Sequence, residues 1–127
     1  MPASMTQLFI HYVWGTWQRM PWLEGDVRDI AYRTILAKCK EHHVQVLALD
    51  GIEDHVHLLV KIPPIITIAK LIADVKGASS YIINRRHPDD TFKWQNGYGA
   101  FTVSKDNLPA AITYIQNQEI HHHSSQC

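Results

Sequence analysis

The stretch that decides the fold is VQVLALDGIEDHVHLLV, residues 44–60. Its first part, 44–51, is an apolar run that predicts a strand, and Asp50-Gly51 at its end favours a short turn. A second apolar run, HVHLLV at 55–60, follows directly. The sequence therefore predicts a β-hairpin of two antiparallel strands.

The second strand of this hairpin carries two histidines on one face. Successive strand residues point to opposite faces, so His55 and His57 share a face with Leu59. The other face consists of the apolar residues Val56, Leu58 and Val60. That apolar face suits a packed core. Two imidazoles at alternate positions are typical either of a metal site or of satisfied or surface histidines, and spacing alone leaves both interpretations open.

Towards the N-terminus, the sequence predicts a strand and then a helix. QLFIHYVWGTW, residues 7–17, is β-branched and aromatic and is interrupted only by His11 and Thr16, which favours a central strand. From Val27 to about His42, apolar residues recur at helical spacing, and Asp26 is predicted to cap the helix.

Towards the C-terminus, two more helices and a strand are predicted. Thr67 is expected to cap the second helix, which ends in the basic NRRHP at 84–88. One apolar stripe runs along it: Ile68, Leu71, Ile72, Val75, Ser79, Ile82 and Ile83. A strand over 91–104, with Gly97 and Gly99 suggesting a bulge or a close approach, precedes a last helix running from 107 to about 122.

The predicted order is β-α-β-β-α-β followed by one extra helix. The first six elements are those of a ferredoxin-like α/β (α+β) sandwich with an antiparallel sheet. Right-handed crossovers would place both crossover helices on one face of the sheet and leave the opposite face open. If the apolar side of the hairpin faces those helices, then His55 and His57 lie on the open, solvent-facing side.

Composition sets the broad class. The 127 residues, 46% hydrophobic and 19% charged, are expected to form a single domain, 1–127, of a soluble globular protein. No apolar run approaches the roughly 18 residues of a membrane span, and no secretory signal is recognised, so a cytoplasmic protein with no membrane partner is expected. Cys39 and Cys127 match neither a disulfide framework nor a zinc knuckle, and Cys39 is expected in the core.

The formal net charge of zero excludes nucleic-acid binding through an overall positive charge. Any such contact must be local. The candidate cations are Lys70, Lys76, Arg85, Arg86, Lys93 and Lys105, which solvated surface positions explain equally well; Lys76, Arg85, Arg86 and Lys105 are the ones predicted to bind DNA.

The last predicted helix contains a tyrosine and a glutamine four residues apart, Tyr114 and Gln118, which places them on one helical face. Tyr114 borders the apolar stripe, so it is either a half-buried tyrosine with a solvated hydroxyl or a functional group. The Gln118 amide oxygen could join two imidazoles as a third metal ligand and leave positions open for substrate.

A metal with open positions beside a tyrosine suits phosphodiester cleavage. The ion would polarise the scissile phosphate while the phenolic oxygen attacks phosphorus. A tyrosine nucleophile stores the cleaved bond as a phosphotyrosine ester, so that a later hydroxyl can rejoin strands without an energy source. A purely hydrolytic nuclease gains nothing from this.

An ordered set of segments resembles a known family. DHVHLLV (54–60) is similar to a His-hydrophobic-His (HUH) motif, and YIQNQ (114–118) is similar to a nucleophile helix. VWGTWQRMPWL (13–23), VKGASSYIINRR (75–86) and WQNGYGAFTVS (94–104) complete the set in order. Together they resemble the single-tyrosine HUH transposases of bacterial insertion sequences and their relatives associated with repetitive extragenic palindromes (REP).

The resemblance implies specific roles for four residues. Tyr114 would be the nucleophile, and His55, His57 and Gln118 would bind a divalent metal, Mg²⁺ or Mn²⁺. It also implies a 5′-phosphotyrosine intermediate on single-stranded DNA, a released 3′-hydroxyl, recognition of imperfect hairpins at element ends, and a homodimer in which Tyr114 can approach the partner's histidine pair. Trp94 and Tyr98 are either core residues or surfaces on which bases stack.

Two other functions compete with this interpretation. A replication-initiator or relaxase-type HUH endonuclease would share the histidine pair and the tyrosine. A non-enzymatic single-stranded nucleic-acid binding module of similar fold would need paired aromatics on the open face, where this sequence has histidines.

Overall fold

The computed structural model of the protein describes residues 5–118. Its elements are β1 (Phe9–Gly15), α1 (Gly25–Glu41), β2 (Gln45–Ile52), β3 (His55–Lys61), α2 (Ile68–Arg86), β4 (Gly99–Thr102) and α3 (Leu108–Gln116). This order confirms the predicted β-α-β-β-α-β arrangement with one further helix.

The four strands form one antiparallel sheet in the order β2-β3-β1-β4. The two central strands, β1 and β3, are therefore paired along both edges. In their register Val13 lies opposite His57, and His11 lies opposite Leu59. Because both strands are held on both sides, the residues on them have little freedom to move relative to one another.

One face of the sheet packs against α1 and α2. Val56, Leu58 and Val60 are fully buried there, as predicted. The helices contribute Ile30, Ile35, Cys39, Leu71, Ile72, Val75 and Ile83 to the same core. Each fully buried aliphatic side chain of this kind is worth roughly 1.5–3 kcal/mol, so this helical layer is the main source of stability.

The opposite face is covered by α3. Ile115 packs against Ala48 of β2 and Leu59 of β3, flanked by Leu108 and Ile112. His55 and His57 are consequently buried, each with 6% of its surface exposed. The expectation that their face is open to solvent was wrong, because the extra helix folds back over it.

Two predicted local details needed correction in the first half of the chain. Asp26 does not cap α1, since Glu24 occupies the N-cap position; Asp26 pairs with His87 at 2.8 Å instead. The hairpin turn lies at 53–54 rather than at Asp50-Gly51, because β2 continues through Gly51. A Cβ at Gly51 would lie 2.1 Å from the His55 carbonyl oxygen, so only glycine allows this approach of the two strands. Thr67 does cap α2, accepting a hydrogen bond from the Lys70 amide at 3.0 Å.

The predicted strand over 91–104 is much shorter. Only β4 joins the ladder, and Trp94 forms an isolated bridge with Thr16. The segment between them turns away at Gly97, whose φ of 86° lies in the left-handed region. Pro109 sits in the first turn of α3, as expected. Helix α3 ends at Gln116, with Asn117 as its C-cap, so the single helix predicted from 107 to about 122 is interrupted there; the predicted end near His122, and Cys127, lie outside the described residues.

Candidate active site

Strand β3 fixes the two predicted histidines side by side. The ring centroids of His55 and His57 are 5.1 Å apart, and the rings are steeply inclined to each other. Both side chains share the face covered by α3, as the alternation of the strand predicted. The two imidazoles therefore lie together in a largely water-excluded layer on the most rigid part of the sheet.

His55 is oriented by the residue before it. Its Nδ1 lies 2.8 Å from an Asp54 carboxylate oxygen, and Asp54 also accepts hydrogen bonds from Arg19 at 3.1 and 3.3 Å. Burial raises the pKa of Asp54, but the hydrogen bonds from His55 and Arg19 outweigh it and hold that pKa below its usual value. The ionised carboxylate accepts the Nδ1 hydrogen, so Nε2 is the nitrogen that His55 would offer to a metal.

Nδ1 of His57 has a different partner. It lies 2.8 Å from Nε2 of His11, a half-buried residue of β1. Burial lowers the pKa of His11, which favours the neutral imidazole. Sequence reasoning gave His11 no role. The available signal was a single histidine interrupting an apolar strand.

Helix α3 brings the predicted nucleophile to the histidines of its own chain. The ring centroids of Tyr114 and His57 are 5.9 Å apart, with the rings almost perpendicular. Tyr114 retains 46% of its surface exposed, while Ile115 beside it is fully buried. Tyr114 therefore lies at the border of the packed stripe, as predicted, with one side against the site and the other accessible to a substrate.

Gln118 follows Tyr114 by one helical turn and is fully buried. Its Nε2 donates to the Tyr114 carbonyl oxygen at 3.3 Å, whereas its Oε1 has no hydrogen-bond partner among the described residues. An unsatisfied buried acceptor costs about 1–3 kcal/mol. A cation would satisfy it: the amide oxygen is a ligand type that Mg²⁺ and Mn²⁺ take, while two imidazoles favour Mn²⁺ or a later transition ion over Mg²⁺.

No group of three or more His, Cys, Asp or Glu side chains between residues 5 and 118 is arranged to hold a metal ion. Within this described part of the chain, a third ligand beside the histidine pair would have to be of another type. The buried oxygen of Gln118 fits that need, so the residues present are compatible with the predicted metal.

The four predicted DNA-binding cations do not form one cluster. Lys76, Arg85 and Arg86 lie on α2, whose layer is on the sheet face opposite the histidines. Lys76 donates to the carbonyl oxygens of Gln95 and Gly97 at 2.7 and 2.8 Å, and burial lowers its pKa. Lys105 is exposed in the short 3₁₀ turn directly before α3.

The two aromatic candidates for base stacking differ in exposure. Trp94 is buried, and its Nε1 donates to Ser79 Oγ at 2.9 Å. Trp94 is therefore a core residue in this structure. Tyr98 keeps 43% of its surface exposed and remains available to a ligand.

A family model for IS200-like transposases matches residues 4–118. The chain belongs to the IS200-like transposase family. It is 28% identical over 114 residues to the transposase of insertion sequence element IS200 from Salmonella typhimurium, covering 85% of this chain and 74% of that protein. It is 27% identical over 118 residues to the ISDra2 transposase TnpA of Deinococcus radiodurans, covering 88% of this chain and 84% of that one.

Solved structures agree with this membership in the IS200-like family. A crystal structure from Deinococcus radiodurans R1, described as a transposase, superposes with a TM-score of 0.75 at 25% identity, covering 93% of this chain and 95% of that chain. A REP-associated tyrosine transposase bound to a REP hairpin superposes with a TM-score of 0.73 at 10% identity, over 96% of this chain and 72% of that chain, which shows a shared fold.

These comparisons confirm the family that the ordered segments predicted, and with it a role as a transposase. They favour that role over the initiator, relaxase and binding-module alternatives. Within residues 5–118, none of this transposase's helices is long and apolar enough to cross a membrane.

Proposed function

We propose that this transposase cleaves and rejoins single-stranded DNA through attack of Tyr114 on a phosphodiester bond, assisted by Mg²⁺ or Mn²⁺ held by His55, His57 and Gln118. One observation carries the proposal. The half-exposed Tyr114 packs against the buried His57, and Gln118, just after α3, supplies a buried oxygen with no hydrogen-bond partner among the described residues.

The metal ligands are His55 and His57 through Nε2 and Gln118 through Oε1. Asp54 orients the first histidine, and burial under α3 excludes water from the pair. When bound, the cation supplies a Lewis acid that polarises the scissile phosphate and offsets the charge that develops there.

Tyr114 performs the covalent step. Its phenolic oxygen loses its proton and forms a bond to phosphorus, and the bond from phosphorus to the 3′ oxygen breaks. The products are a 5′-phosphotyrosine and a 3′-hydroxyl. Because the ester retains the energy of the original bond, attack by another 3′-hydroxyl rejoins DNA and releases Tyr114.

The proposed substrate is single-stranded DNA that carries an imperfect hairpin. A REP hairpin is bound by the structural neighbour described above, which supports this class of substrate. Arg85, Arg86 and Lys105 are exposed and able to meet phosphates, and Tyr98 is able to stack on a base. We place this activity in the cytoplasm, where chromosomal DNA is available.

We also propose a homodimer. Strand β4 is an edge of the sheet, and Phe101 on it is 59% exposed, next to the exposed Tyr98. An edge strand with exposed aromatics is a site where a second copy can pair. Light scattering should give about twice the 14.6 kDa chain mass; the chain mass itself in an active sample would refute the dimer.

Incubation with hairpin-bearing single-stranded oligonucleotides and Mn²⁺ or Mg²⁺ tests the chemistry. A denaturing gel should show a covalent adduct with wild-type protein and none with Tyr114→Phe, which removes only the hydroxyl. Tyr81→Phe is the matched control, because Tyr81 is an exposed tyrosine on α2, away from the site. An adduct that survives in Tyr114→Phe would reject the proposal and assign another nucleophile.

A further inference from the structure

We propose that His11 is a positioning residue of the metal site. Its Nε2 accepts a hydrogen bond from Nδ1–H of His57 and so fixes the ring in the orientation and tautomer that present Nε2 to the cation. The inference rests on the proposed function, because it assigns a role to a residue beyond the proposed ligands.

The register of the sheet makes this contact. His11 lies opposite Leu59 on β3, and Val13 lies opposite His57, so the two histidines are diagonal neighbours on one face. The distance of 2.8 Å between His11 Nε2 and His57 Nδ1 is that of a good hydrogen bond. Both residues belong to the central strands, so the contact is held by backbone pairing on both sides.

The chemistry of imidazole decides which nitrogen donates. A neutral imidazole has one N–H donor and one lone-pair acceptor. If His57 binds a cation through Nε2, that nitrogen carries no hydrogen, and the hydrogen is on Nδ1. His57 Nδ1 is then the donor, and Nε2 of His11 is the acceptor. The opposite direction would leave His57 with a hydrogen on the nitrogen that faces the cation.

His55 provides an internal comparison. Its Nδ1 faces a carboxylate oxygen of Asp54, which when ionised is an acceptor only. The two proposed ligands thus have the same arrangement, with Nδ1 directed at an acceptor, although one acceptor is an anion and the other a neutral ring. The Phe101 ring, 6.4 Å from His11 and edge-on to it, helps to confine His11 on this face.

Two amide substitutions at His11 separate the length of the side chain from its polarity. In His11→Gln the amide oxygen stands as many bonds from Cα as the histidine Nε2, so it can accept the His57 hydrogen. In His11→Asn the same group is one bond shorter and cannot reach. Both variants are polar and of similar size, so a difference between them reports on the hydrogen bond.

The first measurement needs no metal. Long-range ¹⁵N–¹H spectra of the imidazoles in metal-free protein report the tautomer directly, under conditions where the rings are uncharged. We expect His57 to be protonated on Nδ1 in the wild type and in His11→Gln, and to populate both tautomers in His11→Asn. An unchanged His57 tautomer in His11→Asn would overturn the inference, even if that variant lost stability.

The second measurement is Mn²⁺ binding by calorimetry, with electron paramagnetic resonance to count bound histidine nitrogens. Loss of an orienting partner typically weakens metal binding about 10- to 100-fold. We expect that loss in His11→Asn and recovery in His11→Gln. Three histidine nitrogens on the ion in the wild type but two in His11→Asn would make His11 a ligand and refute the positioning role. Absence of Mn²⁺ binding by the wild type, or binding unaffected by His55→Ala and His57→Ala, would instead refute the proposed function.

Discussion

The two faces of strand β3 show how one strand serves both stability and chemistry. Towards α1 and α2 it buries Val56, Leu58 and Val60, an apolar surface that needs no partner. Towards α3 it buries two histidines at almost the same low exposure. Burial is therefore similar on both faces, and the difference lies in what is buried. Polar groups cost free energy when they leave water, so their retention on one face marks it as functional.

Buried polar atoms without a hydrogen-bond partner sharpen this difference. Among the described residues they are Trp14 Nε1, Tyr32 Oη and Gln118 Oε1. Trp14 Nε1 is an N–H donor and needs an acceptor. Tyr32 Oη is a hydroxyl that can also donate a hydrogen bond, so neither atom requires a cation. The third is a carbonyl oxygen one helical turn from the tyrosine that contacts His57. The α3 face thus contains the unsatisfied acceptor that a metal would complete.

Adjacent substitutions on opposite faces give the largest expected effects. We expect His57→Ala to abolish the covalent DNA adduct and Mn²⁺ binding while leaving the protein folded. Leu58→Ala, one residue away, should lower the free energy of unfolding by about 2–5 kcal/mol because it opens a cavity under α1 and α2. It should retain adduct formation per folded molecule.

Urea unfolding and gel assays on both variants check this contrast. If His57→Ala unfolds the protein as severely as Leu58→Ala, then the histidine face is structural and the comparison fails. If Leu58→Ala loses the adduct while still folded, the two faces are coupled rather than separate.

Substitution of Gln118 should separate activity from stability. We expect Gln118→Leu to raise the free energy of unfolding by about 1 kcal/mol, because it removes an unsatisfied buried oxygen, while it weakens Mn²⁺ binding at least about 10-fold. Gln116→Leu, at the exposed last position of α3, is the control and should do neither. Thermal unfolding and calorimetry measure the two quantities. A destabilised Gln118→Leu variant with normal Mn²⁺ affinity would show that the glutamine serves packing.

The sequence predicted the elements well because their signals are local. The alternation in 55–60 correctly assigned the two faces of β3, and the apolar stripe of α2 correctly gave its buried residues, apart from the more exposed Ile68 and Ile82. The spacing of Tyr114 and Gln118 correctly predicted that they lie one turn apart, although α3 itself ends at Gln116. In each case the period of the backbone determines the geometry, and no distant part of the chain is needed.

What the sequence did not predict depends on contacts between distant segments. His11 acquires its partner only through the register of β1 with β3, which no local pattern specifies. The burial of His55 and His57 depends on α3 folding back over the sheet. Likewise, β4 starts only at Gly99, and the segment before it is bound to α2 by hydrogen bonds from Lys76 to the carbonyl oxygens of Gln95 and Gly97. Strand register, the covering of the sheet by α3 and side-chain hydrogen bonds between elements are tertiary features, so the spacing of residues along the sequence does not predict them.

Lys76 and Lys105 should respond differently to loss of charge. We expect Lys105→Met to reduce the salt dependence of single-stranded DNA binding by about one unit of slope, as loss of a single phosphate contact does. Lys76→Met should leave that slope unchanged and lower stability by about 1 kcal/mol, since it loses two hydrogen bonds to carbonyl oxygens. Fluorescence anisotropy across a salt series, with urea unfolding, measures both. A reduced slope in Lys76→Met would make Lys76 a phosphate contact, like Arg85 and Arg86 of the same helix.

The smallest expected effect is on the pH dependence of stability, and it comes from a cluster of ion pairs between α1 and α2. Asp74 of α2 pairs with Lys70 at 3.1 Å and with His42 at the end of α1 at 2.8 Å. The hydrogen bonds from Lys70 and then His42 hold the pKa of Asp74 below its usual value. Because the folded pKa is lower than the unfolded one, the pairs stabilise the fold at pH values above about 4, and this contribution is lost as pH falls through the folded pKa.

We therefore expect Asp74→Asn to be slightly less stable than the wild type at neutral pH and to lose less stability on acidification below about pH 4. Urea unfolding across a pH series measures the two slopes, and Asp29→Asn, on the exposed surface of α1, controls for loss of a negative charge. DNA adduct formation at neutral pH should be unchanged, since Asp74 lies in the layer that only supports the sheet. Parallel profiles of stability against pH for wild type and Asp74→Asn would show that the cluster contributes nothing to stability. A loss of the DNA adduct in Asp74→Asn would show that the layer of α1 and α2 affects the reaction on the other face of the sheet.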